Sequence, residues 1–75
     1  MKKTNYDFSK LKGRIIEKNF TMEEIAKAIK ISKTSFSYKI NNIRDFNLRE
    51  VDALIKQLDI PAEEIENYFF KQSVE

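Results

Sequence analysis

The chain has 75 residues, no cysteine and no histidine, and a formal net charge of +2. A chain of this length makes one small domain that buries roughly 60% of the surface its unfolded state exposes. Without cysteine or histidine there are no disulfides, thiolate or imidazole metal ligands, and no Ser-His catalysis.

One glycine and one proline argue against a strand-and-turn architecture and against disorder, and 41% hydrophobic with 35% charged residues suits an all-α domain. No apolar run approaches the roughly 20 residues that cross a bilayer. Met1-Lys2-Lys3 is followed by Thr4-Asn5-Tyr6-Asp7 rather than an apolar stretch, so no signal peptide is expected. These features fit a cytoplasmic protein. The charge is unevenly spread. Residues 1–44 hold eleven Lys/Arg and four Asp/Glu, net +7, whereas residues 45–75 hold three and eight, net −5. Such an asymmetry suits a polyanion-facing side and a back side, or else ordinary solvated helix faces.

In chain order, five pairs place an apolar residue before a helix-start residue: Tyr6-Asp7, Phe20-Thr21, Ile31-Ser32, Phe46-Asn47 and Ile60-Pro61. Each has another apolar residue five positions after its first, at Leu11, Ile25, Phe36, Val51 and Ile65. This is the spacing of the hydrophobic staple. Glu24 and Glu50 stand three residues after Thr21 and Asn47, as in capping boxes. Five short helices are therefore predicted, over 7–18, 22–30, 33–41, 48–58 and 62–70. Their apolar positions follow the helical period. Helix 1 offers Phe8, Leu11 and Ile15; helix 2, Ile25, Ala26 and Ile29; helix 3, Phe36 and Ile40. Helix 4 offers Val51, Leu54, Ile55 and Leu58, and helix 5 offers Ile65 and Phe69. Ile31, Ile43 and Phe46 are expected to plug the core from connections. Residues 1–4 and 72–75 are expected to fray.

Function concentrates in residues 21–41. Helices 2 and 3 are separated by Lys30-Ile31-Ser32 alone. Ala26, mid-helix on the buried face, lets a second helix cross at close range. Ile31 can seal the wedge between them and Ser32 can cap helix 3. The first turn of that helix then reads Lys33-Thr34-Ser35, short polar and basic side chains at an exposed N-terminus. A recognition helix entering a groove roughly 12 Å wide has this character.

Residues 21–41 resemble the helix-turn-helix of the Xre/Cro family of phage and bacterial repressors. More narrowly, KLKGRIIEKN, IAKAIKIS, SFSYKINN and LDIPAEEIENYFF resemble short phage-encoded regulators of Gram-positive hosts. The likeness covers about residues 6–70. It implies a lambda-repressor-like five-helix domain spanning 1–75. It also implies a sequence-specific regulator of transcription that occludes a promoter. Its partner would be double-stranded DNA at a near-palindromic operator, bound as a homodimer at least on DNA. No cofactor, metal, small-molecule ligand or membrane is implied, and the setting is a bacterial cell.

Residue by residue, the resemblance places Lys33, Thr34, Ser37 and Tyr38 at base edges. Tyr38 has the alternative of packing on a neighbour. Met22 (through its backbone N–H), Ser35, Lys39, Asn41, Asn42 and Arg44 are placed near phosphates, or else are solvated groups at helix ends. Three positions depart from the family pattern. Lys30 stands where glycine usually opens the turn, Met22 where glutamine is frequent, and Asn42 where glycine often follows helix 3. Tyr68, Phe70 and Val74 remain after one face of helix 5 is assigned to the core. They fit either a dimer contact or a fold back over helix 1.

A helix-turn-helix can also serve as a protein-interaction module, such as an antirepressor or an inhibitor of a host or phage protein. The acidic second half and aromatic C-terminus suit that use. An enzyme is not expected, because the chain has no nucleophile–base pair and no glycine-rich phosphate loop.

Overall fold

The computed structural model describes residues 5–72. Four α-helices run α1 Ser9–Glu17, α2 Met22–Ala28, α3 Lys33–Ile40 and α4 Leu48–Leu58. A fifth helical stretch follows, but it is not an α-helix. It is a 3₁₀ turn, Ala62–Glu64, and then a π-helical turn, Glu66–Phe70. Glu64 donates its N–H to the Pro61 carbonyl, the tight i to i+3 bond of a 3₁₀ turn. The wider second turn puts both Tyr68 and Phe69 into the core. Periodicity alone does not distinguish these geometries from an α-helix.

Three helix starts are fixed by local side-chain chemistry. Thr21 and Asn47 each accept the N–H of the residue three ahead, and Glu24 and Glu50 reach back to the cap N–H. Ser32 Oγ accepts the Ser35 N–H at 3.0 Å. Helix α1 starts two residues later than its apolar pattern suggests. The Asp7 carboxylate bonds the N–H and hydroxyl of Ser9 and so holds residue 8 outside the helix.

The helix ends share one device. Asn19, Lys30, Asn42 and Asp59 all have φ between 51° and 67°. Phe20, Ile31, Ile43 and Ile60 then donate their N–H groups back to Ile15, Ala26, Tyr38 and Ile55. These are the six-to-one bonds of Schellman endings. Phe20 and Ile31 thus close one helix and staple the next, which is why the connections are so short. Asparagine and aspartate tolerate the left-handed region; lysine does so at a cost of roughly 1 kcal/mol. Lys30→Gly is therefore expected to raise stability by up to about 1 kcal/mol, read from denaturant melts. Gly13 offers a second gain. It lies inside α1, and a Cβ there would meet nothing within 4 Å. Gly13→Ala is expected to add about 0.5–1 kcal/mol.

The core joins Phe8, Leu11 and Ile15 to Ile25, Ala26 and Ile29, then to Phe36, Ile40, Leu54, Leu58, Ile60, Tyr68 and Phe69. Phe46 caps it from the α3–α4 connection, with ring centroids 5.5 Å from Phe8 and 5.8 Å from Phe36. Ile43 does not join it. It is 60% exposed, although it holds the same place after α3 that Phe20, Ile31 and Ile60 hold after their helices. Arg14 crosses from α1 to close α4, donating to the carbonyls of Leu58 and Asp59 at 2.9 Å each. The two ends of the described chain meet. Tyr6 and Gln72 form an antiparallel bridge, and Asp7 N–H donates to Lys71 O at 2.7 Å. Gln72 is accordingly paired rather than frayed, while residues 1–4 and 73–75 lie outside the described residues.

Among the described residues no helix is long and apolar enough to cross a membrane.

Candidate nucleic-acid interface

Helix α3 packs on α2, and α2 in turn packs on α4. Ala26 is 1% exposed at the centre of this arrangement. The inner face of α3 is Phe36 and Ile40, at 0% and 2% exposure. Its outer face is Lys33, Thr34, Ser37 and Tyr38, all exposed. The N-cap Ser32 aims the first turn outward, so Lys33 and Thr34 lead the helix. Neither side chain bonds any other described residue. Eight residues at about 1.5 Å rise make a helix roughly 12 Å long.

The other two outward residues are partly engaged. Asn41 ends α3 and turns its Nδ2 back onto the Ser37 carbonyl at 2.9 Å and hydroxyl at 3.4 Å. Tyr38 is 42% exposed, and the Arg44 guanidinium lies 5.9 Å from its ring centroid. Arg44 N–H also donates to the Tyr38 carbonyl. Packing on a neighbour is therefore part of what Tyr38 does. The same packing holds Arg44, itself exposed, beside the outer face.

Two residues assigned to phosphates are committed elsewhere. Lys39 points away from the outer face, and its ammonium pairs with the Glu50 carboxylate. The two side chains are only 14% and 7% exposed. Asn42 is half-buried, and its amide clamps Tyr6, accepting the N–H at 2.9 Å and donating to the carbonyl at 2.8 Å. Its left-handed backbone and this clamp give it a structural role. Met22 is half-buried at the start of α2, a helix of seven residues whose first turn carries Glu23 and Glu24. Two carboxylates there oppose a phosphate. Ser35 is half-buried, with its N–H given to Ser32. Arg44 and Asn41 are what remains of the set.

The aromatic C-terminus divides. Tyr68 is 7% exposed, so it folds into the core. Lys10 sits over its ring at 5.2 Å and pairs with Glu64 at 2.7 Å. That pairing lowers the Glu64 pKa and raises that of Lys10, chiefly through their hydrogen bond. Phe70 stays half-exposed, edge-on to Tyr6 at 6.1 Å. It lines a cleft of about 260 Å³ with Tyr6, Phe8, Phe46 and Val51. Val74 lies outside the described residues.

Sequence reasoning missed Glu50 as a buried charge, reading it only as a capping-box residue. Its capping-box position was the available signal. It also missed Arg14, for which periodicity carries no signal. Among the described residues no group of three His, Cys, Asp or Glu is arranged to hold a metal ion.

No functionally curated protein matches the chain. A family model described as "Protein of unknown function (DUF739)" matches residues 4–72, and the chain belongs to that family.

Proposed function

We propose that the chain is a sequence-specific double-stranded DNA-binding regulator of the Xre/Cro helix-turn-helix type, acting by operator occlusion. The observation that carries this reading is the two-sided character of α3. Its inner face is buried apolar side chains, and its outer face leads with Lys33 and Thr34, whose side chains bond no other described residue. Support also comes from the close α2–α3 crossing over Ala26 and from the basic first half of the chain. In this reading Lys33 donates to guanine O6/N7, and the Thr34 methyl meets a thymine methyl. Tyr38 supplies a ring at the same face, and Arg44 meets a phosphate at its edge. Two recognition helices of a homodimer would sit about 34 Å apart along a near-palindromic site.

The test is a titration of duplex DNA at two salt concentrations. Affinity is expected to fall as salt rises, because bound phosphates release counterions. Lys33→Ala is expected to weaken the preferred site by about 10- to 100-fold, the equivalent of about 1–3 kcal/mol, with a smaller effect on unrelated DNA. Equal weakening on all sequences would make Lys33 a phosphate contact rather than a reader.

A second reading has its own observation. Ile16, Ile43, Leu48 and Phe70 are large apolar side chains between 49% and 85% exposed. They favour use of the domain as a protein-interaction module. A stoichiometric protein partner, with Lys33 and Tyr38 replaceable without effect, would select that reading.

A further inference from the structure

Glu50 is the one charged residue among the described residues that is buried. Its two oxygens do different work. Oε1 accepts the Asn47 N–H at 3.0 Å and so belongs to the start of α4. Oε2 accepts the Lys39 ammonium, and Lys39 lies in the last turn of α3. Asn47 Oδ1 closes the loop by accepting the Glu50 N–H at 2.8 Å. The capping box orients the carboxylate, and the carboxylate orients α3. Phe36 and Ile40 decide which face of α3 turns inward, but apolar burial alone does not select among small rotations of the helix. A charge-assisted hydrogen bond does.

We infer that Lys39 and Glu50 are positioning residues that set the rotation of α3 about its axis, and with it the direction of Lys33, Thr34 and Tyr38. The role rests on the DNA-reading function proposed above. It differs from that reading in what it asks of Lys39, which holds the helix from behind and touches no DNA. The geometry suits this work. A turn about the axis smaller than the roughly 100° between successive residues keeps Phe36 and Ile40 inward yet redirects the outer row of side chains. Burial of a charged pair adds little net stability over an apolar pair, so its use here is geometric specificity.

The experiment compares the wild-type chain with Lys39→Met/Glu50→Gln, which removes both charges and keeps a capping side chain at position 50. Lys39→Gln is carried in parallel, since its amide can still donate to Glu50. Thermal melts establish that each variant is folded at the titration temperature. Each is then titrated with its selected duplex and with an unrelated duplex over a range of salt. The double variant is expected to lose tenfold or more of its preference for the selected duplex. Its affinity for unrelated DNA and its salt dependence are expected to match the wild type, and Lys39→Gln is expected to retain most of the preference. A shallower salt slope, by about one unit, would instead make Lys39 a phosphate contact. Unchanged preference in a folded double variant would leave the pair with no positioning role while the DNA reading stands. A wild-type chain that binds neither duplex would remove both.

Discussion

Replacing Phe36 with alanine is expected to remove about 3–5 kcal/mol of folding stability. The ring is 0% exposed, lies on the inner face of α3 and meets Phe46. Its loss opens a cavity where α3 joins the rest of the core, and Ile40 alone cannot fill it. A domain of this length has a total stability of about 4–11 kcal/mol. The variant should therefore be largely unfolded at modest denaturant or temperature, as read by circular dichroism. A loss below about 1 kcal/mol would mean that α3 is not anchored through this residue.

Lys39→Ala is the second large effect, at about 3 kcal/mol. It leaves the Glu50 carboxylate, 7% exposed, with the Asn47 N–H but without its cation. The exposed pairs Lys18–Asp59 and Lys56–Asp52 provide the contrast, because their side chains range from 35% to 78% exposed. Pairs of that kind contribute about 0–1 kcal/mol, since water and salt screen them. Lys56→Ala should therefore cost little in the same denaturant melts. Comparable losses at Lys39 and Lys56 would show that Glu50 is effectively solvated. Adding Glu50→Gln to Lys39→Ala should recover part of the loss, because it removes the unpaired charge.

The contrast between these two residues explains what the sequence made legible. Helix starts at Thr21, Ser32 and Asn47 depend on residues three apart, so local chemistry reveals them. The positions of Phe36 and Ile40 follow from the helical period. The left-handed conformation of Lys30 was legible through the resemblance, which puts glycine at that place. Partners distant in sequence are another matter. Nothing near Lys39 announces Glu50, and nothing near Asn42 announces Tyr6, 36 residues away. Both looked like spare polar groups at the end of a helix, and both are spoken for. The same limit applies to the C-terminus. Tyr68 and Phe70 are two residues apart and so fall on opposite sides of a helix, but which of them turns inward depends on packing against α1, where Lys10 sits over the Tyr68 ring, and nothing near either residue in sequence announces that. The candidate interface that survives is smaller than the pattern suggested. It comprises Lys33, Thr34 and Tyr38, with Ser37 partly engaged and Arg44 and Asn41 at its edge.

That reduced surface can be tested directly by selecting duplexes bound by the wild-type chain from a random double-stranded pool. Enrichment of a near-palindromic sequence whose half-site centres lie one helical turn apart is expected. Lys33→Ala is expected to relax the preference within each half-site. A pool that shows no enrichment, with no salt-sensitive binding to any duplex, would contradict the claim that the outer face of α3 reads DNA.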